Sequence, residues 1–399
     1  MMAMTSGAEP PVKDRKEVSR IMFVATTPFV VNAFLASHLK SLSKYYEITL
    51  CVNLNSYTLS PYLRDLVEVV DIGFARKVSP FSDLTSLIRL FYAVSRVRPV
   101  AIHSITPKAG LLAMMAGFLA RVPNRWHTFT GQVWATKRSL SRHLLKAMDR
   151  LIIALSTRVF ADSGSQCRFL TNERVVTENG ISVLGGGSIA GVDVERFAPD
   201  ESVRMRLRKE LGFRDDDCIF LFVGRLVRDK GVFDLVLSYC EVAARNIGVG
   251  LWMVGPDEDR LLPELQGVSQ ACSESIRWLE ATHTPEKYMT AADVLVLPSY
   301  REGFGTVLIE AGACGIPVVA YRIYGVIDAV VDGETGILVD CGNTQKLTEA
   351  LLSLAKYPHR RIKLGCQARE RVAQHFSSEL ITEAWVEYYR NSLGSNKEK

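Results

Sequence analysis

Between Asp293 and Tyr321 the chain spells out a complete strand–helix–strand unit. Asp293-Val-Leu-Val-Leu-Pro298 is an apolar run ended by proline, and Pro317-Val-Val-Ala-Tyr321 is a second. Between them, Glu302-Gly-Phe-Gly305 reads as a loop and Thr306 to Cys314 as a helix, with Gly315 as a left-handed cap and Pro317 forbidding continuation. A glycine loop feeding a helix start offers unpaired amides and the positive end of the helix dipole, which suits a phosphate. Glu302 precedes the helix and Glu310 lies in its second turn. Carboxylates beside a phosphate site accept hydrogen bonds from hydroxyls, so a phosphate-bearing sugar is the expected ligand class.

The same alternation runs through the rest of the chain. Arg20–Thr26, Glu47–Val52, Val67–Asp71, Pro99–His103, Arg125–Phe129 and Arg158–Ala161 read as strands, with helices over Asn32–Ser43, Ser82–Val97 and Ser139–Leu155. Around Gly185-Gly-Gly-Ser188 the periodicity lapses. It restarts with Cys218–Gly224, a helix over Gly231–Asn246 and a strand over Gly250–Gly255. The expected fold is α/β: two Rossmann-like, doubly wound domains facing across a cleft. The expected division is a flexible tail over 1–19, an acceptor-binding domain over 20–195 and a nucleotide-sugar-binding domain over 196–376. A C-terminal helix in 377–399 crosses back to the first domain. A length of 399 residues requires two cores. Eight scattered cysteines without a C-x-x-C pair read as reduced thiols in a cytoplasmic protein. The longest apolar run, Leu111–Ala120, is too short to span a bilayer.

A second constellation is Val223-Gly-Arg-Leu-Val-Arg-Asp-Lys-Gly231. It places Arg225 and Lys230 in the loop after a strand, a planar fork and a point charge suited to a diphosphate. Together with Glu302-Gly-Phe-Gly-Thr306, Glu310 and Ala313-Cys-Gly-Ile-Pro-Val-Val-Ala320, this loop resembles the retaining GT-B glycosyltransferases of family 4. In the first half His103–Gly110, Trp126–Gln132 and Gly187–Asp193 look like the bacterial subgroup that builds capsule, O-antigen and lipid-linked glycans. The resemblance implies that Arg225 and Lys230 bind the donor diphosphate and that Glu302 touches the donor sugar. It also implies that Glu310 accepts from the ribose, and that the amides of Phe304, Gly305 and Thr306 hold phosphate oxygens. His127 would face the sugar from across the cleft, whereas His103 reads as structural. Thr27 stands in the first turn, where the family often has glycines.

The resemblance further implies a metal-independent, retaining transfer without a cofactor, and a UDP-sugar donor, an N-acetylhexosamine. The implied acceptor is a polyprenyl-diphosphate-linked sugar. No Cys/His metal cluster is written in the sequence, and Asp215-Asp-Asp217 reads as a surface turn. On the Lys137–Leu155 segment, Leu140, Leu144, Ala147, Met148, Leu151 and Leu155 share one helical face, while Arg138, Arg142, Lys146 and Arg150 make a basic ridge. That ridge is either a dock for an anionic membrane surface, placing the protein on the inner face of the cell membrane, or a solvated face. Nucleic acid is not an expected partner. Another hexose or deoxysugar donor is the alternative within the class, and a nucleotide-sugar hydrolase or epimerase the alternative outside it. A dinucleotide oxidoreductase is a further alternative that lacks support, because neither half has G-x-G-x-x-G after its first strand.

Overall fold

The computed structural model describes residues 18–55, 57–75, 79–245 and 247–394. The tail expected over 1–19 lies outside them up to residue 17, as does Asn246, the expected end of the helix from Gly231. The continuous apolar runs become parallel strands, most of them buried on both faces. Seven of them, β1 (Arg20–Val24), β2 (Glu47–Val52), β3 (Glu68–Asp71), β4 (Ala101–Ile105), β5 (Asn124–Phe129), β6 (Arg158–Ala161) and β7 (Ser182–Val183), form one sheet in the order β3-β2-β1-β4-β5-β6-β7. Six more, β8 (Cys218–Val223), β9 (Val249–Val254), β10 (Ile276–Leu279), β11 (Val294–Leu297), β12 (Val318–Tyr321) and β13 (Gly336–Val339), form the second in the order β10-β9-β8-β11-β12-β13. Each sheet reverses its winding once, between β1 and β4 and between β8 and β11. Ligands of doubly wound sheets bind at the carboxyl ends of the strands beside that reversal.

Five helices shape the cleft and the surface beside it. α1 (Pro80–Val97), α2 (Pro107–Leu119) and α3 (Leu140–Leu155) lie side by side on one face of the first sheet and share a core with it. α4 (Thr306–Ala313) follows β11, and α5 (Ser378–Gly394) follows the second sheet. Yet α5 buries Ile381, Trp385, Tyr389 and Leu393 against Phe23, Leu39 and Trp126, in the core on the other face of the first sheet. At the start of β11, Asp293 receives the fully buried Arg208 guanidinium at 2.5 Å and the Ile219 amide at 2.7 Å, locking β11 beside β8.

Four local expectations are corrected. The first helix begins at Pro28 rather than Asn32, because proline suits a first helical position; the coil passes through a π-helical turn, Val31–Leu35. The fourth strand covers Ala101–Ile105, two residues later than expected. β10 and the helices Gly164–Asn172 and Glu201–Glu210 were not anticipated. Cys240 and Cys272, 32 residues apart, are joined as a disulfide with a Cα–Cα distance of 5.6 Å, so not all eight cysteines are free thiols. Spacing alone did not reveal two cysteines brought together by a helix and the turn beneath it.

Candidate active site

The two motif-bearing loops of the second half meet at the β8/β11 reversal. Gly231 makes this possible twice over. Its φ of 65° is left-handed, and a Cβ there would lie 2.0 Å from the Pro298 carbonyl oxygen. The loop after β8 therefore presses onto the end of β11, and the Tyr300 amide donates to the Asp229 carbonyl at 2.9 Å. Lys230 ends a short 3₁₀ turn, Arg228–Lys230, and its Nζ meets Glu302 Oε1 at 2.5 Å, both side chains largely shielded from water. Arg225 leaves the same loop toward Glu258, at 3.0 Å, and stays half exposed. Tyr300 and Tyr321 both donate to Asp234, at 2.6 and 2.7 Å, bracing the ends of β11 and β12.

α4 starts at Thr306 with Gly305 in the left-handed conformation, φ 79°. Phe304 turns its ring inward against Phe376. Glu310 is half-buried in the second turn, and burial pushes its carboxyl up to about 7, against the opposing pull of Arg196. Lys230, Glu302 and the start of α4 thus converge on one spot, and Arg225 leaves the same loop as Lys230. The acidic run Asp215-Asp-Asp217 is a turn in which Asp217 accepts from the Arg214 amide at 2.8 Å. Among the described residues, no group of three His, Cys, Asp or Glu is placed to hold a metal ion.

The first sheet closes over this spot. A Cβ on Gly303 would lie 2.5 Å from the Thr130 carbonyl oxygen and 2.7 Å from Asp162 Oδ2, so only glycine lets the halves approach this closely. Ser163 Oγ donates to the Gly303 carbonyl at 3.2 Å, and Thr136 Oγ1 donates to Asp229 at 3.4 Å. Farther out, the Ser165 amide and hydroxyl both donate to Asp328, and the Phe169 and Tyr324 rings stack at 4.3 Å. Burial raises the Asp162 carboxyl to about 8, and its Oδ1 has no hydrogen-bond partner. Asp162, Tyr324 and Arg301, whose guanidinium lies 3.5 Å from the Asp229 carboxylate, have no motif that marks them in the sequence. Asp162 directly follows a strand, and Arg301 directly precedes Glu302; position at a strand end was the available signal.

His127 lies inside the first sheet rather than on the cleft surface. It has no exposed area, its ring abuts Gly110, and Nδ1 sits 2.9 Å from Ser104 Oγ. Burial lowers its pKa to about 3, so the ring is neutral. Thr130, three residues on and just past the end of β5, meets the Glu302 loop together with Gly131. His103 is a core residue, bonded to Tyr389 at 2.6 Å and Thr128 at 2.8 Å. At the first sheet's reversal, Thr106 adopts φ 82°, a strained value for a β-branched residue, and its hydroxyl lies 3.4 Å from that of Thr26.

The basic ridge of α3 is not an outward surface along its length. Arg142 and Lys146 turn inward, both onto Glu173 at 2.8 and 2.7 Å and both over the Trp134 ring. Arg150 remains exposed but donates to the Arg174 carbonyl at 2.9 Å, and Arg138 is exposed. The acid within the helix, Asp149, accepts from the Trp134 indole, and the acid that meets the ridge is Glu173, contributed from outside the helix.

Residues 203–371 match the family model described as glycosyl transferases group 1. The chain is 30% identical over 343 residues to the capsular polysaccharide biosynthesis glycosyltransferase CapM of Staphylococcus aureus, covering 86% of this chain and 89% of CapM. Among solved structures, the sucrose-phosphate synthase of Thermosynechococcus elongatus superposes with a TM-score of 0.78 at 20% identity, over 94% of this chain and all of that one. Anabaena HepE in complex with UDP-glucose superposes with a TM-score of 0.76 at 18% identity, over 94% of this chain and 99% of HepE. With a family match across the second half, a relative alike along most of its length and a shared two-sheet architecture, this chain belongs to the group 1 glycosyltransferases and has the GT-B fold.

Proposed function

We propose that the protein transfers a sugar from a UDP donor, with retention and without a metal, to a polyprenyl-diphosphate-linked saccharide, the sugar being an N-acetylhexosamine. The observation that carries the donor half is the Lys230–Glu302 pair at the mouth of the α4 helix. Lys230, Arg225 and the first amides of α4 take the diphosphate, and Glu302 takes a sugar hydroxyl. Glu310 accepts from the ribose. As the bond to the anomeric carbon breaks, negative charge develops on the departing β-phosphate. A cation and a helix start fixed beforehand stabilise it without reorganising. The departing phosphate then receives the acceptor's proton, so no general base is required. His127 is neutral and enclosed, and its role is to shape the β5 end that leads into Thr130. The acceptor enters from the β1/β4 side, against Thr26 and Thr106.

HepE in complex with UDP-glucose supports a UDP donor and equally favours a hexose without the acetamido group. Incubating the protein with a panel of UDP-sugars and a lipid-diphosphate sugar, with mass spectrometry of the products, tests the reading. Transfer that needs the lipid acceptor and survives a chelator supports it. Free sugar released without acceptor would reassign the protein as a hydrolase. Lys230→Ala should lower kcat by about a hundredfold or more, the scale of one lost preorganised donor; near-normal turnover would remove the diphosphate role.

A further inference from the structure

Besides the apolar residues that α1 and α3 bury in the first core, each carries an apolar stripe that points into water. On α1, Phe81 is 87% exposed and Tyr92 68%, with Leu84 and Ile88 between them about half exposed. On α3, Leu140 is 86% exposed and Leu144 65%, and Leu151 continues the stripe. A helix on a sheet normally turns such a stripe inward. On the inner side of α3, Leu145, Ile152, Ile153 and Leu155 join the core while Arg142 and Lys146 pack over Trp134 and onto Glu173, which leaves the leucine stripe outside. Because α1, α2 and α3 share one face of the sheet, the two stripes look the same way. Phe118 and Leu119, at the end of α2, are exposed between them. Helices of 18 and 16 residues span about 27 and 24 Å. The stripes run along most of both helices, and contiguous exposed apolar surface of this kind marks an interaction site.

Charge identifies the occupant. Residues 80–160 contain twelve Lys and Arg but only two acids, Asp83 and Asp149. Asp83 is engaged by Lys108 at 2.6 Å, and Asp149 is buried, accepting from the Trp134 indole at 2.7 Å. The exposed cations on and beside the stripes are Arg89, Arg96, Lys137, Arg138 and Arg150. A second copy of the chain seated on this face would set these cations against their own equivalents, which is unfavourable. An anionic bilayer satisfies both the apolar stripes and the basic rim.

We infer that α1 and α3 form a membrane-docking face, in which Phe81, Leu84, Leu140 and Leu144 enter the acyl boundary of an anionic bilayer and the flanking cations meet its headgroups. The face adjoins the cleft. Thr136, four residues before Leu140, already touches Asp229 beside Lys230. Docking therefore brings the mouth of the cleft to the membrane surface. The inference shares a membrane with the proposed function but not its chemistry, so each can fail alone.

The test is co-sedimentation of the full chain with phosphatidylglycerol-rich vesicles and with pure phosphatidylcholine vesicles over a salt series. Binding is expected to favour the anionic vesicles and to weaken with salt. Leu140→Glu with Leu144→Glu, and separately Phe81→Glu with Leu84→Glu, should each weaken it by at least about tenfold. Because these side chains are exposed, thermal melts and UDP binding measured by calorimetry should be unchanged. Absence of vesicle binding, variants that bind as well as the parent, or a solution dimer that the same substitutions dissociate would each overturn the inference.

Discussion

Single side chains set how the two sheets meet. Gly303→Ala would drive a methyl group into the Thr130 carbonyl and the Asp162 carboxylate, forcing the halves apart. A displacement of this size should cost about a hundredfold in kcat/KM, with the circular dichroism spectrum unchanged. In the sequence Gly303 reads as part of a phosphate cradle; a contact from the other sheet explains it, and no local pattern carries that information. Asp162 has a measurable signature of its own. Its carboxyl keeps its proton to about pH 8 when folded, whereas the unfolded chain releases it near 3.8. Between those values the folded state binds the extra proton, so stability falls as pH rises from about 4 to about 8 and then levels off. Glu310, raised to about 7, adds to the slope in the same direction. Asp162→Asn should flatten much of it and raise the melting temperature at pH 8. A melting temperature whose pH dependence does not change would mean that the carboxyl is ionised in the fold.

At the scale of elements, most strands and the Lys230, Glu302 and α4 cluster were legible, because continuous apolar runs and glycine–proline punctuation are local signals. The short Ser182–Val183 strand was not legible, since two residues carry no periodicity. The orientation of α3 was misjudged for a different reason. Its helical wheel sorts leucines from cations, but Glu173 and Trp134, outside the helix, decide which side faces in. Arg142→Glu with Lys146→Glu would place two carboxylates against Glu173 over an aromatic ring. This should destabilise the fold by about 3 kcal/mol or more, read as a lower urea midpoint. If the double variant kept its midpoint and lost only vesicle binding, the inward packing of the ridge would be refuted.

For the molecule as a whole, α5 is a strap that belongs to the first sheet although it follows the second. Trp385 stacks on His38 at 4.5 Å and on His103 at 4.9 Å, and Tyr389 bonds to His103. Trp385→Ala should cost about 3–5 kcal/mol, read by chemical denaturation, with the loss falling on the first half. The same strap has a consequence for biogenesis. A ribosome releases β1 to β7 early, but the side chains that complete their far face emerge only after every strand of the second sheet has been made. The earlier-synthesised half is thus the later one to mature. Phe23, Leu39 and Trp126 remain open to chaperones until the last helix of the fold arrives, and the second half can finish first.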